Sequence, residues 1–231
     1  MKIHVVDTET TGIDPDKDRV IELGVCVLED GPDGWKIGDA GRSFVNPGMP
    51  ISPQASGTHH IIDADVADAP DLAAAMDIAF GPAWQSQIDV VAGHNCRFDR
   101  AFLPALHDRK WCDTYRCAMH VWPDAPDFKL QTLRYWLGLD CPRGVAHRAV
   151  DDAIVCAHLL RRLLTERSLE ELLALSTKAV KLKTVSFGKH FGALWTDVPM
   201  DYLLWAERQD FDPDVRFTVR TELARRQGGG R

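Results

Sequence analysis

The spacing of hydrophobic and polar positions changes along the chain. It predicts mainly strands in the first part and mainly helices in the rest. The apolar run at residues 3–6 is typical of a buried strand, and the β-branched, apolar stretch at residues 20–28 predicts a second strand. A third strand is expected over residues 35–45 and a fourth over residues 88–92, which are followed by a Gly-His-Asn turn. The sequence therefore indicates an α/β protein in which most of the strands lie in the N-terminal part.

Helical spacing dominates after residue 50. Helices are predicted to begin near Ser52 and to cover residues 71–84, 98–106, 114–121, 130–137, 149–164, 169–175 and 201–208. The helix over residues 149–164 has the clearest pattern, because its apolar residues recur every three to four positions. These residues are Ala149, Ala153, Ile154, Ala157, Leu160 and Leu164. Ser168 and Glu171 form a capping-box pattern at the start of the short helix predicted over residues 169–175.

The length of 231 residues suits one main domain with a small appendage. A polar connector with three lysines at residues 177–186 precedes a compact segment at residues 187–226. Trp195, Tyr202 and Trp205 are predicted to form the core of that segment, because so small a unit needs large apolar side chains. Stacking of these rings on nucleic-acid bases is the alternative.

The composition favours a cytoplasmic protein. No apolar run approaches the ~20 residues that a membrane-spanning helix needs, and the N-terminus leads directly into a predicted strand without a signal peptide. The six cysteines form no CxxC pair and are expected to stay reduced. Cys112, Cys117 and His120 lack a second pair that would complete four ligands, so a zinc site is not expected.

The formal net charge of −7 limits the nucleic-acid contacts that are expected. Proteins that bind a long duplex passively are usually basic, whereas an enzyme whose acidic site holds divalent cations can carry such a charge. Residues 166–231 contain 11 Lys and Arg against 10 Asp and Glu, a net charge of +1, so the preceding residues have a net charge of −8. The C-terminal part is therefore the better candidate for additional phosphate contacts.

Four carboxylates occur where predicted strands end or predicted helices begin. Asp7 and Glu9 are two positions apart at the end of the first strand, so their side chains lie on one face and repel each other. Asp99 falls in the first helical turn after the fourth strand, and Asp152 lies at the start of the clearest helix, close to His147. Taken singly, each has an ordinary explanation as a solvated strand end or as a carboxylate favoured at a helix N-terminus.

The combination of these residues is more specific than any one of them. Carboxylate oxygens are hard ligands that suit Mg²⁺ or Mn²⁺ better than zinc. Carboxylates that converge from separate segments on two metal ions fit the hydrolysis of phosphodiesters. The sequence therefore predicts a metal-dependent hydrolytic site built from strand ends and helix starts.

Three stretches carry a family resemblance: DTETTG at residues 7–12, HNCRFD at residues 94–99 and HRAVDD at residues 147–152. Their order and spacing resemble those of the DEDDh exonuclease superfamily over about residues 1–175. Within that superfamily, the chain most resembles the exonuclease X group, through residues 51–55, 147–149 and 187–190. The resemblance implies an RNase H-like fold, which is a mixed five-stranded sheet flanked by helices. The fifth strand is expected around residues 110–113, where the sequence pattern is weak.

The resemblance also implies a domain arrangement. Residues 1–176 correspond to the exonuclease domain, and residues 187–226 resemble the small C-terminal module of exonuclease X-like proteins, with residues 177–186 as a linker. Contact of this module with DNA, docking of a protein partner and self-association all remain open.

The same resemblance assigns roles to individual residues. Asp7, Glu9, Asp99 and Asp152 are expected to bind two Mg²⁺ or Mn²⁺ ions, and His147 is expected to act as the general base. The family motif has four residues between the histidine and the last carboxylate. Counted from His147, this spacing gives Asp152, and not Asp151, as the last ligand. Three further residues are expected to contact the substrate: Thr10, His59 and Asn95. The alternatives are a turn-forming role for Thr10 and a merely exposed position for His59.

The implied activity is that of a metal-dependent 3′→5′ exodeoxyribonuclease in DNA repair or proofreading. It would act on 3′ ends of single-stranded DNA or frayed duplexes, without a membrane partner, and would release nucleoside 5′-monophosphates. An RNA 3′ exonuclease of the same superfamily is the nearest alternative, because contacts to the 2′ position are not visible in a sequence. A non-catalytic, polymerase-associated nucleic-acid-binding subunit is a further alternative. It is less favoured because all five catalytic positions are occupied.

Overall fold

The computed structural model describes residues 1–81, 84–142 and 148–228. The chain divides into two compact units, Met1–Ser176 and Thr177–Arg231. Within the described ranges, every helix is too short or too polar to cross a membrane.

A five-stranded sheet forms the centre of the first unit. Its strands are β1 (Lys2–Thr10), β2 (Val20–Gly31), β3 (Gly34–Phe44), β4 (Val90–Gly93) and β5 (Lys110–Asp113). The spatial order is β3-β2-β1-β4-β5. Strands β1, β2 and β3 pair antiparallel, whereas β4 pairs parallel with both β1 and β5. The predicted mixed five-stranded sheet is confirmed, and the weakly patterned fifth strand is present.

Eight α-helices accompany the sheet in the described part of this unit. They are α1 (Pro53–His59), α2 (Asp63–Val66), α3 (Leu72–Phe80), α4 (Arg97–Phe102), α5 (Thr114–Val121), α6 (Leu130–Trp136), α7 (Ala149–Leu163) and α8 (Leu169–Leu175). Single 3-10 turns lie at Trp84–Ser86 and Pro104–Leu106. Helix α8 begins with the predicted capping box, in which Ser168 accepts from the Glu171 backbone N–H at 3.3 Å.

Side chains of β1 alternate between two hydrophobic cores, one on each face of the sheet. Ile3 and Val5 are fully buried in the core that α7 covers, and Val6 is buried in the core that α3 covers. Odd-numbered residues of β1 therefore point towards α7. Asp7 and Glu9 continue this series at the end of the strand, so the geometry of β1 directs both carboxylates to the α7 face.

In the first unit, two predicted helices are shorter than expected, and one helix was not predicted. The helix expected over residues 71–84 ends at Phe80, because Gly81 takes up a left-handed φ of 83°. The helix expected over residues 98–106 breaks before Pro104, which starts a separate 3-10 turn. The four residues of α2 have too little periodicity for recognition from the sequence.

The second unit contains α9 (Met200–Glu207), α10 (Pro213–Gly228) and a 3-10 turn at Gly188–His190. Trp195 is 2% exposed in its hydrophobic core, as predicted, whereas Trp205 is 46% exposed. Val185, from the predicted linker, is also buried in this core. The segment that precedes the predicted module thus packs within the second unit.

Helix α10 was not predicted, although its buried residues have helical spacing. Those residues are Val215, Thr218, Val219, Glu222 and Leu223. Two of the five are polar, which interrupts the apolar stripe by which a helix is recognised. The carboxylate of Glu222 is fully buried and accepts from Arg225 at 2.6 Å and Arg226 at 2.7 Å.

Helix α7 approaches β2 very closely at Gly24. A Cβ atom on Gly24 would lie 2.1 Å from the carbonyl carbon of Ala149 and 2.2 Å from the backbone nitrogen of Val150. Both atoms belong to backbone, so no side-chain rotation could make room. Only glycine at this position allows the first turn of α7 to lie against the sheet.

Replacement of Gly24 by alanine is expected to destabilise the protein. Overpacking of a tight site typically costs about 1–3 kcal/mol, and here the helix backbone itself must move. Gly57→Ala is the matched control, because a methyl group on Gly57, inside α1, would meet no atom of another described segment within 4 Å. Alanine there is expected to be neutral or slightly stabilising. Urea unfolding of both variants checks the prediction, and an unchanged stability of Gly24→Ala would contradict it.

Candidate active site

Three carboxylates converge between the end of β1 and the start of α7. One ligand oxygen from each of Asp7, Glu9 and Asp152 can be chosen so that all three lie within 4.8 Å of one another. The three side chains are half-buried. Asp152 belongs to this trio, and its neighbour Asp151 does not.

Like charge and burial act strongly on the two carboxylates of β1. Burial, followed by the charges of Asp99, Asp152 and Glu9, raises the pKa of Asp7 well above its usual range. Burial, followed by the charge of Asp152, raises the pKa of Glu9 to about 8. Such shifts mean that the ionised cluster is unfavourable until a cation joins it. Hard oxygen donors at this spacing fit a divalent ion such as Mg²⁺ or Mn²⁺.

Asp99 lies beside the trio rather than within it. Its side chain is 4% exposed in the first turn of α4 and accepts a hydrogen bond from the Thr8 hydroxyl at 2.8 Å. Burial raises the pKa of Asp99 to about 6, and the bond from Thr8 partly opposes this rise. Because Thr8 precedes Glu9 and the charge of Asp99 acts on Asp7, the fourth predicted ligand lies at the same strand end.

A hydrogen bond from α6 holds Asp152. The Nε2 atom of Gln131 donates to Oδ1 of Asp152 at 2.8 Å. Gln131 was not predicted as a site residue, because a lone amide on a helix has no pattern that distinguishes it from a surface residue. The contact depends on packing between α6 and α7.

A buried ion pair fixes the start of α7 on β2. The fully buried carboxylate of Glu22 accepts from the Arg148 guanidinium at 2.8 and 3.1 Å and from the Ala149 backbone N–H at 3.2 Å. In the antiparallel register of β1 and β2, Glu22 lies directly opposite Glu9. This role was missed, although a glutamate inside an apolar strand is a signal that such a carboxylate has a buried partner.

The three predicted substrate contacts lie in different environments. The Thr10 hydroxyl donates to the Gly12 carbonyl at 2.5 Å, which is the turn-forming contact considered as an alternative. His59 is only 2% exposed, and its Nδ1 accepts from the Ile61 backbone N–H at 3.0 Å. This burial rules out the exposed position considered for His59.

Asn95 occupies the turn between β4 and α4. Its φ of 64° is left-handed, a conformation that asparagine tolerates better than most residues. Its backbone N–H donates to Asp113 at 3.0 Å, and its side chain is exposed. His147, the predicted general base, lies outside the described residues. Helix α7 begins two residues later, after the N-cap residue Arg148.

A comparison with protein families matches residues 4–160 to the exonuclease family RNase_T. The matched range contains all four carboxylates and His147. It covers more than half of the chain.

Individual relatives agree with the family match. Exodeoxyribonuclease 10 of Escherichia coli (strain K12) is 29% identical over 231 residues, which cover 96% of this chain and 98% of the relative. The DNA polymerase III subunit epsilon of Treponema pallidum (strain Nichols) is 30% identical over 176 residues, 70% of this chain and 76% of that one. A solved structure of exonuclease X in complex with 5′ overhanging duplex DNA has a TM-score of 0.62 at 27% identity. It covers 75% of this chain and 99% of that one.

Glu9→Gln is expected to stabilise the metal-free protein at alkaline pH. The folded-state pKa of Glu9 is about 8, above its ordinary value of 4.5. The stability that this proton contributes is therefore complete below about pH 4.5 and is lost as the pH rises through 8. In EDTA, the melting temperature of the variant should increasingly exceed that of the unsubstituted protein between pH 5 and pH 9.

Saturating Mg²⁺ at pH 8 should reduce or reverse this difference, because the cation stabilises only the ionised cluster. In a chain of this size, 1 kcal/mol corresponds to about 2–4 °C, so calorimetry can resolve the effect. Glu207→Gln, at an exposed glutamate of α9, is the control and should follow the unsubstituted protein at every pH. A pH-independent difference for Glu9→Gln would contradict the electrostatic account.

Proposed function

Because the chain belongs to the exonuclease family that its residues 4–160 match, we propose that it is a metal-dependent 3′→5′ exodeoxyribonuclease. It hydrolyses the terminal phosphodiester of a DNA strand and releases nucleoside 5′-monophosphates. The observation that carries this proposal is the convergence of Asp7, Glu9 and Asp152 at the end of β1 with Asp99 alongside.

The choice of DNA as substrate rests on the relatives. Similarity to exodeoxyribonuclease 10 extends over nearly the full length of both chains. The solved exonuclease X structure contains 5′ overhanging duplex DNA, so a recessed 3′ end is a fitting substrate. We propose that the enzyme acts on single-stranded or frayed 3′ ends, and that its role is in DNA repair or proofreading. RNA remains the competing substrate, and a non-catalytic polymerase-associated subunit the competing function.

Four carboxylates of the chain are suited to hold the metal. Asp7, Glu9, Asp99 and Asp152 would bind two Mg²⁺ or Mn²⁺ ions. When bound, such ions stabilise the charge that develops on the attacking and leaving oxygens of a phosphodiester. Thr8 and Gln131 donate hydrogen bonds to Asp99 and Asp152, and thereby restrict the orientation of both carboxylates.

We propose that His147 is the general base, on the resemblance of residues 147–152 to the third family motif. A neutral imidazole with an ordinary pKa of about 6.5 accepts a proton from the attacking water near neutral pH. Thr10, His59 and Asn95 are proposed to contact the terminal nucleotide. The ring of His59 is buried, so its direct contact with the nucleotide requires that substrate binding uncovers it.

For the domain arrangement, we propose residues 1–176 as the exonuclease domain, residues 187–226 as the accessory module and residues 177–186 as their connection. Residues 177–231 contain ten Lys and Arg against seven Asp and Glu, which favours phosphate contacts. A protein partner or self-association is the alternative role of the module. A cytoplasmic location is proposed because all six cysteines are free thiols, as expected in a reducing compartment.

The polarity and the metal requirement are tested on oligonucleotides labelled at the 5′ end. DNA should yield a ladder of progressively shorter labelled products in Mg²⁺ and none in EDTA. Asp7→Asn should nearly abolish degradation, because the amide keeps the shape of the side chain but loses the charge that attracts a cation. Asp108→Asn is the control, since Asp108 is an exposed aspartate outside the cluster.

Immediate release of the label as a mononucleotide would mean attack from the 5′ end. Undiminished degradation in EDTA, or by Asp7→Asn, would refute the metal site. An RNA oligonucleotide of the same sequence, degraded faster than DNA, would favour the competing substrate.

His147→Ala is expected to lower the single-turnover rate by roughly 10²–10⁴-fold, the usual contribution of a positioned acid or base. Mn²⁺ affinity should be retained because the four carboxylates are unchanged. In the unsubstituted enzyme, the rate at saturating metal should fall as the pH drops through about 6.5. A variant with normal rate and normal Mn²⁺ affinity would exclude His147 from catalysis. A lowered melting temperature with little loss of rate would instead indicate a structural role.

A further inference from the structure

Gln131 is held between two charged groups, and both fix the orientation of its amide. Its Nε2 donates to Oδ1 of Asp152 at 2.8 Å, and its Oε1 accepts from Nη1 of Arg134 at 3.3 Å. A guanidinium only donates hydrogen bonds, and an ionised carboxylate only accepts them. The amide therefore has one arrangement that satisfies both neighbours, with its NH₂ group towards Asp152.

Arg134 is itself held from its other side. Its side chain is 8% exposed, and Nη2 donates to the carbonyl of Pro142 at 2.9 Å and more weakly to that of Cys141 at 3.4 Å. Arg134 follows Gln131 by three positions, so the two side chains lie on the same face of α6. A buried arginine with this many acceptors is a rigid support for the shorter amide.

Helix α6 is anchored independently of these side chains. Leu133 is fully buried in the core that α7 covers. The carbonyl of Phe128, two residues before the helix, accepts from Nε2 of His94 at 2.7 Å. Burial lowers the pKa of His94 to about 4, so the ring is neutral and its Nδ1 accepts from the Thr114 hydroxyl at 2.9 Å. The backbone that carries Gln131 is thus fixed to the end of β4.

We propose that Gln131 is a positioning residue that orients the Asp152 carboxylate towards the metal, and that Arg134 acts through Gln131. This inference rests on the proposed metal-dependent function. Asp152 lies within 4.8 Å of two other carboxylates that repel it. A hydrogen bond donated to Oδ1 stabilises the charge of Asp152 and restricts the rotation of its carboxylate beside these neighbours. Groups that orient a ligand in this way typically change metal affinity or activity by about 10–100-fold.

The principal test compares Gln131→Met with the unsubstituted 231-residue protein. Methionine keeps the length and helix propensity of the side chain but removes the amide. Mn²⁺ affinity is measured by calorimetry without DNA, the melting temperature in EDTA, and the single-turnover rate on DNA across a Mn²⁺ titration. We expect about 10–100-fold weaker Mn²⁺ binding, a similar melting temperature, and a rate that recovers substantially at saturating Mn²⁺.

Two further variants sharpen the test. Gln131→Asn keeps the amide but shortens the side chain by one methylene, so it should reproduce the loss of Mn²⁺ affinity if length and not polarity is limiting. Gln227→Met, at an exposed glutamine of α10, is the matched control and should bind Mn²⁺ normally. Arg134→Met should weaken Mn²⁺ binding as well. Combined with Gln131→Met, it should add little, because both act on the same hydrogen bond.

Normal Mn²⁺ affinity in Gln131→Met and Gln131→Asn would overturn the role of Gln131. Fully additive losses in the double variant would overturn the statement that Arg134 acts through Gln131. If the unsubstituted protein binds Mn²⁺ but degrades no DNA, the proposed function fails, while the effect of Gln131 on Mn²⁺ affinity still decides the positioning role. If the unsubstituted protein binds no Mn²⁺, Asp152 has no metal to face and the inference is overturned.

Discussion

The close approach of α7 to β2 is the contact on which the site depends. Gly24 leaves room for the helix backbone, and the buried carboxylate of Glu22 holds Arg148 and the first free N–H of the helix. Removing one partner of a buried ion pair typically costs about 3–5 kcal/mol, and without Arg148 the carboxylate of Glu22 would keep, among the described residues, only the longer ion pair with Arg42 at 3.7 Å. A shift of α7 by one turn would move Asp152 about 5.4 Å along the helix axis. The cluster with Asp7 and Glu9 would then no longer exist.

The four carboxylates are positioned in two different ways. Asp7 and Glu9 belong to a strand with neighbours on both sides, so the backbone of β1 determines where their side chains begin. Asp99 and Asp152 lie in first turns of helices, and each accepts a hydrogen bond from another segment, Thr8 and Gln131 respectively. Such donors matter because every carboxylate in the cluster repels the others. Orientation by hydrogen bonds keeps the helix-borne oxygens near the strand end before a cation is bound.

Periodicity made the strand-borne part of the site predictable. A spacing of two places Asp7 and Glu9 on one face, and the structure has them there. The partners of the site residues could not be predicted, because they come from distant positions in the chain. Gln131 is 21 residues from Asp152, and Arg148 is 126 residues from Glu22. Such contacts depend on how helices pack on the sheet, and no local pattern encodes that packing.

Two glutamates with opposite pKa shifts show why a cation would stabilise the carboxylate cluster at the end of β1. Glu222 is fully buried, yet hydrogen bonds from Arg225 and Arg226 lower its pKa to about 2. For Glu9, by contrast, burial and then the charge of Asp152 raise the pKa to about 8. Within the described residues, neither Glu9 nor Asp7 forms an ion pair with lysine or arginine. In the described part of the chain, arginines therefore pair directly with the structural carboxylate Glu222, whereas the carboxylates at the end of β1 have no such direct partner. A divalent cation bound there would provide the missing positive charge.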